Sequence, residues 1–486
     1  MKTIISFTLI LLISLNSISI AQNEDSPSSV YTKIDRYFGA GIENGFAGAI
    51  AVIKNGEVVI NKGYGFTNRN TKSLNNPNTI FDIGSNTKQF TATAVLKLVE
   101  LGKIQLTDSL STFFKTISED KKSITIHQLL SHSSGLVDAI GKDFTKVSKE
   151  DFLQQLFATK LLFKPGEKYS YSNTGYSILG IIIESVSNQS YETFLNEYLF
   201  TPAGMQQTGY LLPKWNSEQI AWSYNRGILE DESPVFKYQK ENNITWHLKA
   251  NGGINASQND MLLWYKALKS NTILSKESFK KLTTSHIHFV SGKYEYGYAY
   301  GWTVRILEGN LKRLTHNGSN GAYSHSLIWF PEKDIFISYV TNANSSEVEY
   351  LAYEVAKMML DKQYNPKPIK NNFYAYAVNY MRNNSSDKVE ELIYFLKENY
   401  PDDFKSSRPL NSLGNILLMK NENNQWAIAL FRKNIETHPN DGNLWDSLGD
   451  GYKANNQKKE AINSYKKAIE LGYNGSREKL SELTKN

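Results

Sequence analysis

The stretch Phe81-Asp82-Ile83-Gly84-Ser85-Asn86-Thr87-Lys88 places a glycine and a serine at the start of a helical pattern. Apolar residues recur at helical spacing over 86–101, and Gly102 ends the pattern. Lys88 comes three residues after Ser85, so both lie on one face of the predicted helix. A serine hydroxyl is a poor nucleophile until a base takes its proton. The stretch therefore predicts a serine and lysine pair at a helix N-terminus, where developing negative charge is favoured.

The spacing Ser-x-x-Lys is a weak signal alone, because it occurs six times, at Ser85, Ser118, Ser278, Ser385, Ser464 and Ser476. Most such pairs are expected to be solvated side chains on helices. Ser85 differs by its context: a glycine precedes it, a strand-like run lies upstream and an apolar helix follows.

A second candidate motif is Tyr171-Ser172-Asn173, in a predicted loop before another apolar helix. Of the 29 tyrosines, only Tyr171 has an asparagine two residues later. A phenol beside a lysine could have a lowered pKa and shuttle a proton. The asparagine side chain can both donate to and accept from a substrate amide. Alone, the motif is equally compatible with an ordinary turn.

The third motif, His316-Asn317-Gly318-Ser319, precedes a strand-like run that ends at Phe330. A glycine here would let a substrate lie against the strand edge, and the next backbone N–H could point at an oxyanion. Alone, this is a common turn sequence.

Together and in this order, the three motifs resemble the serine β-lactamase and penicillin-recognising enzyme superfamily, which uses S-x-x-K, Y-x-N and a K-T-G or H-x-G element. The branch that they resemble most is the class C β-lactamase-like one, with its D-alanyl-D-alanine carboxypeptidases, D-aminopeptidases and carboxylesterases. The flanking segments 125–136, 164–167, 202–205 and 252–257 agree, and the resemblance covers about 31–362.

The resemblance implies three catalytic residues. Ser85 would be the acylated nucleophile, Lys88 would take its proton, and Tyr171 would protonate the leaving group and activate the deacylating water. No cofactor and no metal are implied. His127 and His132, five residues apart without a nearby carboxylate, are predicted to be structural, because this spacing fits no metalloprotease motif.

The resemblance also implies a substrate-binding set of Asn173, His316, Gly318 and Ser319. Asn173 would hold the substrate amide or the lysine, and the N–H groups of Ser85 and Ser319 would form an oxyanion hole. His316 stands where β-lactamases of this branch have lysine, a cation that helps to hold a carboxylate. Histidine is mostly neutral at pH 7. We therefore expect a peptidase or esterase rather than an efficient β-lactamase.

The composition excludes several classes of protein. The 486 residues include no cysteine, so disulfides, thiolate metal sites and a cysteine nucleophile are absent. The net charge of +6 is small for this length and suggests no nucleic-acid partner.

The N-terminal residues 1–21 are typical of a secretory signal peptide. Lys2 is followed by a mainly apolar run over 4–15, too short to span a bilayer, and by the small-x-small site Ser19-Ile20-Ala21. A single membrane anchor is the alternative. We predict an exported protein, periplasmic or secreted, without stable membrane insertion after cleavage. Residues 22–30 are predicted to be a leader linker.

The core of the chain, 31–362, is predicted to be one α/β-type domain. Asn55-Gly56 between two β-rich runs predicts a hairpin, and strand-like runs recur at 300–307, 322–330 and 335–341 after several helices, with a last helix at 346–361. The sheet would thus be built from both termini of the domain. The resemblance implies an α/β (α+β) β-lactamase-like fold with an antiparallel sheet flanked by helices and a helical subdomain.

The alternating aromatic residues over 294–302 predict a strand packed in the core, with a stacking platform as the alternative.

Residues 363–372 are predicted to be a linker, and 373–486 an all-α domain. Ala427-x3-Phe431 recurs 34 residues later as Ala461-x3-Tyr465. The units 407–440 and 441–474 resemble tetratricopeptide repeats, helix–turn–helix modules that bury one face on a neighbour. Residues 373–399 would form a degenerate third pair, and an unrelated helical bundle is the alternative.

Three hypotheses follow. The first is an exported serine hydrolase that cleaves an amide or ester, in a D-amino-acid peptide or a small ester, through an acyl-enzyme on Ser85. The second is a β-lactamase. The third is a catalytically inert binding protein that acts through its helical repeats. Against it, the motifs hold a serine, a lysine, a tyrosine, an asparagine and a glycine, and an inert fold has no need of all five. The expected partners are a small-molecule or peptide substrate and, through 373–486, a protein.

Overall fold

The computed structural model describes residues 27–226, 228–421 and 423–484. The predicted signal peptide, 1–21, and the first part of the predicted leader, 22–26, lie outside the described residues. The strands of the described residues are β1 (Gly48–Lys54), β2 (Glu57–Tyr64), β3 (Phe66–Asn68), β4 (Ser73–Leu74), β5 (Phe81–Asp82), β6 (Ser223–Asn225), β7 (Leu229–Asp231), β8 (Asn255–Ala256), β9 (Ile287–Ser291), β10 (Tyr294–Tyr298), β11 (Thr303–Ile306), β12 (Lys312–Ser319), β13 (Ser324–Phe330) and β14 (Ile335–Thr341).

The α-helices of residues 27–362 are α1 (Pro27–Gly41), α2 (Thr87–Glu100), α3 (Leu110–Phe113), α4 (Ile126–Leu130), α5 (Lys149–Ala158), α6 (Asn173–Ser187), α7 (Tyr191–Leu195), α8 (Thr201–Ala203), α9 (Pro234–Glu241), α10 (Gln258–Lys269), α11 (Lys276–Thr283) and α12 (Leu351–Leu360). Those that follow are α13 (Phe373–Asn383), α14 (Val389–Asn399), α15 (Arg408–Met419), α16 (Asn424–Thr437), α17 (Gly442–Ala454), α18 (Lys458–Glu470) and α19 (Ser476–Thr484).

The main sheet has eight strands in the order β2-β1-β14-β13-β12-β11-β10-β9. Every neighbouring pair in it is antiparallel. Strand β1 lies between β2 and β14, so the sheet is built from both ends of the domain, as predicted. The β1–β2 hairpin turns at Asn55 and Gly56, whose φ angles are 53° and 82°. This is the left-handed region that an Asn-Gly turn needs.

The central strands β1, β13 and β14 of the sheet are buried on both faces. In β1, Ile50 and Val52 pack into one core with α1 and α12. The alternating residues Ala51 and Ile53 pack into the other core, which includes α2, α6 and α10. Successive side chains of a strand point to opposite faces, so one strand contributes to both helical layers. The antiparallel sheet flanked by helices is therefore confirmed.

Two predicted boundaries were wrong. Helix α1 begins at Pro27, so residues 27–30 belong to a helix and not to the predicted leader. Proline suits a first helical turn because its φ is already helical, and Val30 packs against the core on that face of the sheet. The last helix of the domain begins at Leu351 rather than at 346, because Tyr350 has non-helical φ and ψ of −120° and 28°.

The aromatic run over 294–302 is not one strand. Strand β10 ends at Tyr298 and β11 begins at Thr303. Between them Gly301 has φ 75°, and a Cβ there would lie 3.0 Å from Gln89 Cα of α2. The close approach of a helix therefore interrupts the strand. Tyr298 is buried as predicted, whereas Tyr294 is 40% exposed.

The C-terminal part is helical throughout its described elements, α13 to α19. Residues 363–372 contain no helix or strand, and Asn44 Nδ2 donates to Ile369 O at 2.8 Å. A Cβ on Gly414 would lie 2.4 Å from the Phe431 ring, and a Cβ on Gly449 would lie 2.4 Å from the Tyr465 ring. The same type of glycine–aromatic contact thus joins the two helices of each pair, α15–α16 and α17–α18. The assignment of these pairs to tetratricopeptide repeats stays a prediction.

Within the described ranges, no helix is both long enough and apolar enough to cross a membrane.

Candidate active site

Ser85 lies in a tight turn between β5 and α2. Gly84 has φ 51°, and its N–H donates to Asp82 Oδ1 at 2.7 Å. Thr87 Oγ1 donates back to Gly84 O at 2.8 Å. These bonds fix the turn, and from residue 79 to residue 96 every residue except Ser85 is buried. The local fold therefore presents one hydroxyl to the solvent side of an otherwise buried segment.

Lys88, one helical turn later, contacts Ser85 directly. Its Nζ lies 3.2 Å from Ser85 Oγ. It also donates to Asn173 Oδ1 at 2.6 Å and to Asn251 O at 2.6 Å. The side chain is buried, and this burial lowers the pKa of Lys88 to about 7, although Asp138 and Asp143 act in the opposite direction. A large fraction of Lys88 is then a neutral amine at neutral pH, able to accept a proton from Ser85.

Tyr171 lies on the other side of the same amine, in the loop before α6. The Lys88 Nζ atom is 4.7 Å from the centre of the Tyr171 ring. Burial raises the pKa of Tyr171, and a hydrogen bond with Ser85 opposes this only in part. The sequence-based expectation of a lowered pKa was wrong, because loss of hydration of the phenolate outweighs its polar neighbours. Tyr171 is therefore a proton donor in the resting site, and Lys88 is the group that can act as the base.

Asn173, the first residue of α6, is held by a residue that the motifs did not reveal. Its backbone N and its Nδ2 both donate to Asp138 Oδ1, at 3.0 and 2.9 Å. This fixes the amide with Oδ1 toward Lys88. Asp138 lies in an irregular loop distant in sequence, and no spacing rule links it to Asn173.

Strand β12 packs its backbone against the Ser85 turn. A Cβ on Gly318 would lie 2.0 Å from Ile83 O and 2.7 Å from Ser85 N. A Cβ on Gly84 would lie 2.5 Å from Ser319 N. Only glycine fits at such distances, and the contact brings the backbone N–H groups of Ser85 and Ser319 close together. Such a pair of donors is suited to a negatively charged oxygen.

His316 stands behind this contact and is neutral. Burial lowers its pKa to about 3, and Lys88 adds to the effect. Its Nε2 lies 3.2 Å from Tyr298 Oη and its Nδ1 lies 2.9 Å from Asn317 O. Tyr298 Oη also lies 3.1 Å from His132 Nε2, and Ser172 N donates to His132 Nδ1 at 3.0 Å.

One set of proton positions satisfies this whole chain. Because Ser172 N–H donates to His132 Nδ1, His132 carries its proton on Nε2 and donates it to Tyr298. Tyr298 then donates to His316 Nε2, and His316 Nδ1–H donates to Asn317 O. The chain joins the Tyr171 loop to β12 with both imidazoles uncharged. The aromatic alternation predicts the strand of Tyr298 but not this role, and the assignment of His132 as a structural residue stays a prediction.

The structure thus brings together all seven predicted residues: Ser85, Lys88, Tyr171, Asn173, His316, Gly318 and Ser319. Among the residues that the structure describes, no group of three or more histidine, aspartate or glutamate side chains could hold a metal ion. A cavity of about 80 Å³ opens beside Ser85 and extends to Asn173, Ser319 and Asn320. A serine beside a lysine base, with two backbone N–H groups close together at a cavity, is equipped for acyl transfer.

This fold and this site are those of a serine hydrolase class of protein. A family model described as Beta-lactamase matches residues 34–358, and the chain belongs to that family. It is 29% identical to Protein flp of Staphylococcus aureus (strain COL) over 318 residues, 62% of this chain and 61% of that protein. It is 32% identical to the putative penicillin-binding protein PbpX of Bacillus subtilis (strain 168) over 242 residues, 50% of this chain and 60% of that protein.

The chain therefore spans about three fifths of the length of these curated relatives. Among solved structures, it is similar to the octameric penicillin-binding protein homologue from Pyrococcus abyssi. The TM-score is 0.58 and the identity 28%, over 73% of this chain and 81% of that one.

Proposed function

We propose that this chain is an exported serine hydrolase that cleaves an amide or ester bond through an acyl-enzyme on Ser85. The observation that carries the proposal is the 3.2 Å contact between Lys88 Nζ and Ser85 Oγ. It lies in a site where burial lowers the pKa of Lys88 to about 7. A base matched to neutral pH is what an unactivated serine hydroxyl requires.

In the acylation step, Ser85 Oγ bonds to the substrate carbonyl carbon while its proton moves to Lys88 Nζ. The N–H groups of Ser85 and Ser319 donate to the oxyanion. The bond from the carbonyl carbon to the leaving nitrogen or oxygen then breaks, and the Tyr171 phenol gives that atom its proton. The site now holds an ester on Ser85, an ammonium on Lys88 and a phenolate on Tyr171.

Deacylation restores these groups. A water molecule gives a proton to the Tyr171 phenolate, and its oxygen bonds to the carbonyl carbon. The ester bond then breaks, and Ser85 Oγ takes back the proton held on Lys88. The net change is the addition of one water molecule across the substrate bond. Asp138 serves as a positioning residue, because it aims the Asn173 amide at Lys88.

The preferred substrates are D-amino-acid peptides or small esters, and a β-lactamase is the second candidate. The neutral His316 favours the first, because a lysine at that position would offer a cation to a substrate carboxylate. His316 is buried and already bonded on both ring nitrogens. We therefore expect slow turnover of β-lactams at most.

The test compares two serines that share the same local spacing. Ser118 is the matched control: its Oγ also lies 3.3 Å from a lysine Nζ three residues later, that of Lys121. That lysine forms an ion pair with Asp120 at 3.0 Å. Wild type, Ser85→Ala and Ser118→Ala are treated with a fluorophosphonate probe. They are then assayed with nitrocefin, a D-alanyl-D-alanine peptide and p-nitrophenyl butyrate.

Labelling and turnover should be lost in Ser85→Ala and kept in Ser118→Ala. Labelling that survives the loss of Ser85 contradicts the proposal. Rapid nitrocefin hydrolysis would favour the β-lactamase. A folded wild type without labelling or turnover would favour the inert binding protein.

We further propose that residues 373–486 bind a protein partner and that the enzyme is exported. In support of partner binding, a groove of about 530 Å³ between α15 and α17 is lined by both apolar and polar residues, and Met419 in this groove is 70% exposed.

The proposal of export rests on the sequence of residues 1–21 alone. Cell fractionation tests it: the signal-free form should accompany a periplasmic or secreted marker, and full-length protein in the cytosol would contradict it.

A further inference from the structure

Two arginines stand side by side on the main sheet. Arg305 of β11 and Arg313 of β12 are direct partners in the antiparallel register. Residues paired in this way have their Cβ atoms only about 4.5–5.5 Å apart on one face of the sheet, so like charges there destabilise the fold. Both side chains are partly buried, which weakens their screening by solvent. The fold therefore brings two cations together where a neutral neighbour would be less costly.

Tyrosine rings enclose both guanidinium groups. Arg305 Cζ lies 3.7 Å from the centre of the Tyr294 ring and 5.6 Å from that of the Tyr296 ring. Arg313 Cζ lies 5.1 Å from the centre of the Tyr353 ring, which belongs to α12. A ring attracts the positive charge of a guanidinium but offers no acceptor to its N–H groups. The rings thus orient the two groups and leave their donors for another partner.

No carboxylate meets these donors. Within the part of the chain that the structure describes, neither side chain forms a hydrogen bond or an ion pair, and the buried Nε atom of Arg313 has no acceptor. Two nearby acidic residues are engaged elsewhere: Glu295 of β10 pairs with a histidine of β9 at 3.5 Å, and Glu354 of α12 pairs with a lysine of its own helix at 2.7 Å. Burial lowers the pKa of Arg313, and Arg305 acts in the same direction. A buried donor of a charged group without an acceptor is costly, so a bound anion would stabilise this arrangement.

An anion with several oxygens would supply the missing acceptors. Two guanidinium groups present two planar forks of N–H donors and two positive charges. A phosphate group carries about two negative charges at neutral pH and three strong acceptor oxygens, whereas a carboxylate offers a single charge and only two oxygens. Arginine–phosphate pairs are frequently bidentate, with one fork gripping two oxygens. The phosphate group therefore matches the pair better than a carboxylate does.

We propose that Arg305 and Arg313 form a binding site for a phosphate group, with the rings of Tyr294, Tyr296 and Tyr353 as its walls. The site is separate from the cavity beside the catalytic serine, since none of these five residues lines that cavity. Paired strands fix the spacing of the two arginines before a ligand arrives, which lowers the cost of ordering them. The inference goes beyond the proposed hydrolase function and does not depend on it, because it names a second ligand at a second place.

Binding of inorganic phosphate to the full-length protein tests the proposal. Urea unfolding of wild type, Arg305→Gln, Arg313→Gln and the control Arg408→Gln is followed at several phosphate concentrations, with sodium chloride holding the ionic strength constant. Arg408 is an exposed arginine of α15. A ligand that binds only the folded state raises the unfolding midpoint in a saturable way, whereas the general stabilising effect of phosphate salts acts on all four proteins alike. Sodium acetate at the same ionic strength replaces phosphate in a parallel series.

Wild type and Arg408→Gln should show the same saturable phosphate effect. The dissociation constant for phosphate should rise at least about tenfold in Arg305→Gln and in Arg313→Gln, and acetate should bind wild type at least about tenfold more weakly than phosphate does. A wild type without a saturable phosphate effect would overturn the inference. So would wild-type phosphate affinity in either glutamine variant, or acetate that binds as tightly as phosphate.

Chemical modification of the wild type gives a second measurement that does not depend on how well the variants fold. Phenylglyoxal reacts with arginine guanidinium groups, and peptide mass spectrometry reports the extent of reaction at each position. Saturating phosphate should protect Arg305 and Arg313 and leave the reaction of Arg408 unchanged. Equal modification of Arg305 and Arg313 with and without phosphate would contradict the proposed site.

Discussion

Lys88 Nζ lies 3.2 Å from Ser85 Oγ and 2.6 Å from Asn173 Oδ1, so a single amine joins the first two sequence motifs. The third motif reaches the same point through its backbone, because Gly318 packs directly on the turn that carries Ser85. The site therefore depends on two close contacts, one between side chains and one between main chains, and each can be perturbed separately.

Substitution Gly318→Ala should damage catalysis through the main-chain contact. The added Cβ would lie 2.0 Å from Ile83 O and 2.7 Å from Ser85 N, so β12 must move away from the turn and separate the two N–H donors. We expect kcat/KM to fall by at least about a hundredfold, as for loss of an oxyanion donor. Overpacking should also lower the free energy of unfolding by about 1–3 kcal/mol.

Gly39→Ala is the matched control. Gly39 lies in α1 with no heavy atom within 4 Å of the added Cβ. It should keep full activity and gain up to about 1 kcal/mol from helix propensity. Equal activity of the two alanine variants in a steady-state assay would contradict the role of the Gly318 contact.

Asp138→Ala should lower kcat/KM about tenfold to a hundredfold, because a released Asn173 no longer orients Lys88. Asp138 is exposed, so thermal unfolding should change little. Asp138→Asn keeps an acceptor oxygen, so it should recover part of the kcat/KM that Asp138→Ala loses. The recovery should appear chiefly in kcat rather than in KM. A variant with wild-type kinetics, or one whose loss follows its stability, would remove Asp138 from the positioning role.

Tyr298→Phe should destabilise the protein by about 1–3 kcal/mol, because it leaves buried imidazole nitrogens of His132 and His316 without their partner. Tyr294→Phe is the control, since Tyr294 is 40% exposed and its ring contact with Arg305 survives loss of the hydroxyl. Urea denaturation of both variants measures the difference. A cost no larger for Tyr298 than for Tyr294 would mean that the hydrogen-bonded chain contributes nothing.

Stability should fall as the pH drops below about 6.5, the ordinary pKa of histidine. Burial lowers the pKa of His316 and of His325 to about 3. Between pH 6.5 and 3 the unfolded chain binds these protons and the folded chain does not, so the free energy of unfolding rises with pH across that window. His325→Gln should give a shallower dependence than the wild type in urea titrations at several pH values. Parallel curves for the two proteins would contradict this.

The three motifs in their order, through their resemblance to a known superfamily, were enough to predict which residues meet at the site. Ser85 and Lys88 are joined by helical geometry, and His316, Gly318 and Ser319 share one strand. Adjacency in sequence does not report burial depth, however. The expected lowering of the Tyr171 pKa was wrong for that reason: the motifs indicated a lysine beside the phenol, but the desolvation that dominates has no sequence signal.

Residues that act through tertiary contacts left no sequence signal. Asp138 meets Asn173 across 35 positions, and Tyr298 joins two histidines from distant elements. Asn251 contributes a backbone oxygen, which side-chain chemistry cannot reveal. The hairpin at Asn55-Gly56 was predictable because its turn geometry is local, whereas the break at Gly301 arises from contact with α2 and could not be read from the aromatic alternation.

The most direct test of the central claim is the pH dependence of Ser85 acylation, measured as the burst of p-nitrophenol from p-nitrophenyl butyrate. Because burial lowers the pKa of Lys88 to about 7 and only the neutral amine can accept the serine proton, the acylation rate should rise with pH to a plateau above about pH 7. Lys88→Met should remove this dependence and slow acylation by about 10²–10⁴-fold. A wild-type rate that is flat or falling across pH 7, or a rate unchanged in Lys88→Met, would contradict the assignment of Lys88 as the base and Ser85 as the nucleophile that it activates.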